Sequence, residues 1–170
     1  MQKNEDGGRE RMAGARRRAG IVLTLFFLLQ IAMPLCSGYE PQGVPSTIKT
    51  PQDIEKWFSS LKSQMTLPDV PQTVQEMLES RAGDCDDFAT LASKILADLG
   101  ISSEVLVIQY TGTPLRHAIC LWVDENGNYN FFSAQRLVRT GESDKGAVLG
   151  RYFPSAENFT VLDISQRVVA

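Results

Sequence analysis

The stretch RAGDCDDFA at residues 81–89 decides the fold of this 170-residue chain. A Gly-Asp-Cys turn runs directly into a segment whose apolar residues recur every three or four positions up to Leu99, and Gly100 follows. The pattern predicts a buried helix with Cys85 in its first turn. Free N–H groups and the positive end of the helix dipole favour a thiolate there. Cys85 is therefore expected to titrate below a free cysteine and to act as a nucleophile.

His117 is the only histidine of the chain. It lies in a strand-like run at residues 115–123, and its ordinary titration falls near neutrality. A cysteine nucleophile needs a base within reach, and His117 is the candidate for that role. With one histidine and no Cys-x-x-Cys pair, a zinc site is not expected.

Beyond the first 38 residues the chain has two cysteines, Cys85 and Cys120, which is too few for a disulfide framework. A single bridge between them is one alternative in an oxidising compartment. Strand alternation instead places Cys120 on the face opposite His117, which favours a buried, small apolar residue.

The remaining chain predicts helices first and an antiparallel sheet afterwards, which is the α+β class. A first helix begins after Thr50, with proline at its first position, and a second covers residues 72–80. The cysteine helix is followed by three extended runs, at residues 103–110, 116–124 and 129–137. Residues 139–158 are predicted as loop, and residues 159–164 as a further strand.

Taken together, these pieces resemble a known family. The residues concerned are 71–80, the Gly-Asp-Cys-Asp-Asp turn, Leu-Gly-Ile at 99–101 and His-Ala at 117–118. They are similar to the bacterial transglutaminase-like cysteine proteinases, over about residues 50 to 137. The resemblance implies a transglutaminase-like or papain-like fold, with N-terminal helices and the cysteine helix packed on an antiparallel sheet.

The resemblance also implies an aspartate on the strand after the histidine strand, where it would orient the imidazole. The position that aligns with it is Ser133, and residues 129–137 contain no acid. Gln135 and Asp163 are the other candidates for this role, and its loss is a further alternative. One oxyanion donor is expected to be the Cys85 backbone N–H. The second remains open between three side chains, Trp57, Gln72 and Gln75.

Three acids, Asp84, Asp86 and Asp87, surround Cys85. They suit a helix start, where Asp84 would cap the helix and the other two would interact with its dipole. A hard cation such as Ca²⁺, which takes oxygen ligands, is the alternative, because it would offset the like charges around the thiol. Calcium-dependent, adhesin-releasing members of the family place a metal at matching acids, so the resemblance implies Ca²⁺ as a cofactor here.

The first 38 residues carry six Lys or Arg and three acids, followed by an uncharged apolar run at residues 19–35. This arrangement predicts export, with residues 1–38 as a signal peptide cleaved before Tyr39 or as an N-terminal membrane anchor tethered by residues 19–35. A buried soluble helix is the third alternative. Residues 39–49 are predicted as a linker, and residues 50–170 as the domain, in the periplasm or outside the cell.

The chain has 17 Lys or Arg and 20 Asp or Glu, so residues 39–170 retain 11 and 17, a net charge of −6. An acidic domain without a basic stripe is not expected to bind nucleic acid. We expect an exported cysteine peptidase or amidase, with Cys85 as nucleophile and His117 as base, that acts on an exported protein or peptide. The alternative is a non-catalytic binding module that kept the fold and lost the third catalytic group.

Overall fold

The computed structural model describes residues 43–65 and 70–168. The predicted signal peptide or anchor at residues 1–38, with the tether at residues 19–35, lies outside the described residues. Within the described ranges, no helix has both the length and the apolar character needed to cross a bilayer. In the described part of the predicted linker, Ile48 is buried in the core.

The first and third helices begin where the capping residues predict, and the second begins at Val74, two residues later than the predicted residue 72. Helix α1 (Pro51–Phe58) starts after Thr50, whose backbone N–H donates to Asp53 Oδ2 at 2.9 Å. Helix α2 (Val74–Ser80) starts after Thr73 in the same way. Helix α3 (Cys85–Asp98) is the predicted cysteine helix. Two short strands, β1 (Lys62–Ser63) and β2 (Ala82–Gly83), pair in parallel and lead into α3.

Five antiparallel strands form the main sheet. Their order across the sheet is β6-β5-β4-β3-β7. The strands are β3 (Ser103–Tyr110), β4 (Arg116–Val123), β5 (Tyr129–Ser133), β6 (Arg136–Glu142) and β7 (Ala156–Val161). Helix α4 (Lys145–Tyr152) lies between β6 and β7 in the sequence, and a short helix α5 (Ser165–Val168) follows β7.

The two faces of the sheet pack against different helices. One face packs against α1, α2 and α3 through Val105, Ala118, Cys120, Trp122 and Phe132. The other packs against α4 and Phe153, and its buried members are Leu106, Ile108, Ile119, Leu121 and Phe131. The α+β class, with the cysteine helix packed on an antiparallel sheet, is therefore confirmed.

The predicted strand at residues 129–137 is wrong as a single element. The chain turns back at Ala134, whose φ of 48° is left-handed, so the run divides into β5 and β6. An alanine gives no glycine or asparagine signal for such a turn. The predicted loop at residues 139–158 is also wrong, because it contains the end of β6, α4 and the start of β7. The predicted last strand exists, but it begins earlier, at Ala156.

Gly83, two residues before the cysteine, has no room for a side chain, because Asp87 packs against it. A Cβ atom there would lie 2.8 Å from Asp87 Cβ, closer than packed carbon atoms approach.

We expect Gly83→Ala to lower the free energy of unfolding by about 1–3 kcal/mol, measured by urea denaturation. Gly150→Ala is the matched control, because nothing lies within 4 Å of a Cβ built at that exposed helical position. It should be neutral or stabilising by up to about 1 kcal/mol. Equal effects of the two substitutions would contradict the close-contact argument.

Candidate active site

Cys85 is the first residue of α3, and Asp84 is its N-cap residue, as the sequence predicted. The thiol is partly buried. Burial is the main influence on the pKa of Cys85 and raises it, and the nearby backbone N–H of Ala118 offsets part of that effect. Since Ala118 directly follows His117 on β4, this contact brings the thiol against the strand that carries the predicted base.

The net pKa of Cys85 is nevertheless raised above the ordinary value of a thiol. Burial is the largest cause, because it disfavours the thiolate, and the negative charges of Asp84 and Asp86 act in the same direction. The expectation that the helix start holds Cys85 below a free cysteine is therefore wrong, since burial and like charge outweigh the helix dipole. At neutral pH the side chain is a thiol.

His117 and Ser133 meet across the sheet. His117 Nε2 lies 2.8 Å from Ser133 Oγ, a hydrogen-bonding distance. Ile119 faces Ser133 in the register of β4 and β5, so alternation puts His117 on the same face as Ser133. Burial lowers the pKa of His117, which makes the neutral imidazole the dominant form at pH 7. The structure thus places Ser133 where the sequence alignment put it, and its catalytic role remains a prediction.

Aromatic residues border the imidazole face. The Phe153 ring centroid lies 6.4 Å from that of His117. Tyr110 shares the face, because it lies two residues beyond Ile108, which pairs with His117. Burial raises the pKa of Tyr110, and the negative charge of a nearby Cys85 thiolate raises it further. Tyr110 therefore lies near Cys85 and shares a sheet face with His117, but among the described residues the Cys85 thiol makes no hydrogen bond to the imidazole.

The two alternative orienting residues make other contacts. The Gln135 amide donates to the backbone carbonyls of Phe58, at 3.0 Å, and Leu61, at 2.7 Å. It therefore fastens the turn between β5 and β6 to the end of α1. Asp163 Oδ1 accepts from the backbone N–H of Ser165 at 2.9 Å, at the start of α5.

Two of the three candidate oxyanion donors also have other partners. The Gln72 side-chain amide donates to Asp87 Oδ2 at 2.9 Å. The Gln75 amide donates to Glu79 at 2.6 Å. Trp57 is partly buried and packs against the core. The Gln72 amide is thus bound to Asp87, in the first turn of α3.

Asp87 and Asp86 are bound by protein groups. Asp87 accepts from the Gln72 backbone N–H at 3.0 Å, and from the Asp84 backbone N–H at 3.2 Å. Arg167 Nη2 lies 2.6 Å from Asp87, and its Nη1 lies 2.6 Å from Asp86. Burial alone would raise the pKa of Asp86, but hydrogen bonding with Asp84 and the Arg167 charge hold it below the usual value.

The predicted calcium site would have to form among Asp84, Asp86 and Asp87. Ligand atoms of Asp84, Cys85 and Asp86 lie within 4.8 Å of one another, which is close enough to share an ion. However, both oxygens of Asp87 accept hydrogen bonds, and the Arg167 guanidinium already lies against Asp86 and Asp87. A dication placed among the three carboxylates would face this fixed positive charge. As arranged here, the predicted three-acid ligand set does not fit Ca²⁺.

Cys120 is fully buried on the face that packs against α3, as alternation predicted. Burial raises its pKa to about 12. Both Cys85 and Cys120 are free thiols, so the structure contains no bridge between them. Cys120 therefore serves as an unreactive reference thiol.

An open cleft of about 720 Å³ borders the turn that precedes Cys85. Gly83 and Gln72 line its inner side, and Glu76 and Glu79 contribute carboxylates. Neither Cys85 nor His117 is among the described residues that line it, so the cleft lies next to the start of α3 and not at the thiol itself.

Sequence reasoning missed Tyr110 and Arg167. The position of Tyr110 depends on the register of β3 against β4, which the sequence does not specify. Arg167 lies far along the chain from Asp86 and Asp87, in a stretch without a motif. The acids themselves were the available signal, since buried carboxylates require a cation, and an arginine is as suitable as a metal.

The raised pKa of Cys85 predicts its reactivity. In a Cys120→Ser background, the rate of alkylation by iodoacetamide should keep rising with pH beyond about 8.5, the pKa of a free thiol. The reason is that alkylation follows the thiolate fraction. Mass spectrometry of the labelled protein between pH 5 and 10 measures this rate. A plateau already reached below pH 7 would indicate a thiolate–imidazolium pair and contradict the neutral assignment.

The comparison with curated proteins gave no match. A crystal structure of a candidate cysteine protease from Cytophaga hutchinsonii matches with a TM-score of 0.42 and 20% identity, over 66% of this chain and 41% of that protein. The chain thus spans about two fifths of the length of that solved structure. The family model for the transglutaminase-like domain matches residues 44–139, more than half of the chain. The chain belongs to the transglutaminase-like domain family.

Proposed function

We propose that this protein is a cysteine peptidase or amidase in which Cys85 is the nucleophile and His117 is the base. The observation that carries the proposal is the hydrogen bond between His117 Nε2 and Ser133 Oγ, beside a thiol held by the next residue of the same strand. A thiol at a helix start, a base and a group that orients the base form the arrangement used in nucleophilic amide hydrolysis.

The pair starts uncharged, so the proton moves during attack. Nε2 of His117 is engaged by Ser133, which leaves Nδ1 to accept the proton from Cys85. In that tautomer Nε2–H donates to the Ser133 hydroxyl oxygen. As the sulfur bonds to the amide carbon, the thiol proton passes to Nδ1, which then gives it to the departing amine. Water, deprotonated by the same imidazole, hydrolyses the thioester and restores the thiol.

Ser133 limits this mechanism. A hydroxyl can fix the tautomer and orientation of His117, but it cannot balance the charge of the imidazolium that forms during attack. Removal of the aspartate from a serine-protease triad costs around ten-thousandfold in rate. The proposed enzyme is therefore slow compared with one that has an acid at this position.

The proposed substrate is an amide bond in an exported protein or peptide. The export-type segment at residues 1–38 and the net charge of −6 in residues 39–170 support an extracytoplasmic, non-nucleic-acid role. The domain would be periplasmic or extracellular, free after cleavage or tethered by residues 19–35. The cleft that ends at Gly83 supports a peptide substrate, because Gly83 lies two residues before Cys85 in the chain.

A binding module is the second candidate function. The raised pKa of Cys85 favours it, as does a serine where the family has an aspartate. Such a module would keep the cleft and the fold without turning over its ligand.

Cleavage of a peptide library distinguishes the two functions. We expect the full chain to generate new amino termini in a library of protein-derived peptides, detected by mass spectrometry. These products should be lost in Cys85→Ser and His117→Ala, because each variant removes one reacting group. Cys120→Ser is the matched control and should retain them. Identical product patterns from wild type and Cys85→Ser would leave the binding module as the function.

A second variant tests the orienting position. Ser133→Asp should raise the pKa of His117, because a neighbouring carboxylate favours the imidazolium. The variant should cleave at least about tenfold faster than wild type, since the carboxylate also balances charge during attack. Ser133→Ala should be slower by about tenfold, because the imidazole loses its fixed orientation. NMR titration of the single histidine and the cleavage rate measure the two effects. A folded Ser133→Asp protein with a raised histidine pKa and no gain in rate would show that Ser133 does not act in catalysis.

A further inference from the structure

Arg167, in the C-terminal helix α5, uses all three guanidinium nitrogens on the turn that carries Cys85. Nη1 lies 2.6 Å from Asp86 Oδ2, Nη2 lies 2.6 Å from Asp87 Oδ1, and Nε donates to the Gln72 carbonyl oxygen at 2.9 Å. Its side chain is only 12% exposed. Three oxygen atoms from two separate parts of the chain thus converge on one buried cation.

These contacts are strong ones by geometry and burial. The side chains of Asp86 and Asp87 are 17% and 3% exposed, so solvent screens their charges weakly. Two buried carboxylates side by side are unfavourable unless a cation pairs with them. Arg167 supplies that cation through charge-assisted bonds, which are the shorter and stronger kind.

The three acceptor oxygens are also of the type that a hard dication takes. Carboxylate and backbone carbonyl oxygens are typical calcium ligands. Here the guanidinium of Arg167 occupies the space between them. The residue comes from α5, beyond residues 44–139 that match the transglutaminase-like domain.

We propose that Arg167 is the resident cation of the acidic turn, where it takes the place of a divalent metal and holds the first turn of α3. The C-terminal helix is then part of the site, and Arg167 is a positioning residue. Two consequences follow: the wild-type chain does not respond to Ca²⁺, and removal of the guanidinium creates a cavity with three oxygens that Ca²⁺ can stabilise. The proposal does not depend on catalysis by Cys85.

Thermal unfolding of the full chain in EGTA and in 1 mM CaCl₂ tests the proposal. Wild type should unfold at the same temperature in both. Arg167→Ala should unfold about 10 °C lower in EGTA, because two buried carboxylates lose their partner, and CaCl₂ should recover several degrees. Arg167→Lys keeps the charge, so it should lie between the two in EGTA and show no response to Ca²⁺. A merely structural contact would not produce this exchange of arginine for metal.

The matched control is Arg151→Ala, which removes an exposed ion pair with Glu142 and should change the unfolding temperature little in either buffer. If Arg167→Ala does not fold in EGTA, its refolding yield should be higher in CaCl₂ than in EGTA. The proposal is overturned if wild type is stabilised by Ca²⁺, or if Arg167→Ala unfolds at the wild-type temperature. It is also overturned if Arg167→Ala is destabilised but gains nothing from Ca²⁺.

Discussion

The side chain of Asp87 is the constraint on which the cysteine helix depends. It is a buried carboxylate that binds the backbone of Gln72, the backbone of Asp84 and the guanidinium of Arg167. A buried charge persists only when several donors surround it, so the segments that supply these donors must be in place before the helix start is stable. Gly83 completes the arrangement, because its missing side chain leaves room for Asp87. Cys85, the proposed nucleophile, therefore lies directly after a turn that is fixed by distant parts of the chain.

Features encoded locally could be predicted from the sequence, and those that depend on long-range contacts could not. The start of the cysteine helix follows from capping and apolar periodicity, and the face of Cys120 follows from strand alternation. The position of Ser133 beside His117 came from the family resemblance, which implies an orienting group on the strand that follows the histidine strand. The turn at Ala134 was missed because alanine rarely adopts a left-handed conformation, and the neighbouring Gln135 is bound to carbonyls that are distant in the sequence. The role of Arg167 required the folded structure, since nothing near it in the sequence points to the acids.

The protonation states favoured at Cys85 and His117 are consistent with each other, because both side chains are uncharged at neutral pH. Burial and the neighbouring acids favour a thiol at Cys85, and burial favours a neutral imidazole at His117. The serine beside His117 is compatible with this state, because a hydroxyl accepts a hydrogen bond from a neutral imidazole without stabilising its charged form. An aspartate there would favour the imidazolium instead. Ser133 and the neutral forms of Cys85 and His117 are therefore physically consistent with one another.

The contacts of the β5–β6 turn couple the histidine to a distant helix. Gln135 binds two carbonyl groups at the end of α1, and Glu55 within α1 accepts from the backbone of Leu137. Because Ser133 is next to this turn, α1 and the hairpin form one cooperative unit for local opening. In hydrogen exchange their amides would become exposed together. If α1 detached, Ser133 would keep only its pairing with Ile119 and Arg136 inside the sheet, at the end of β5 where the chain turns.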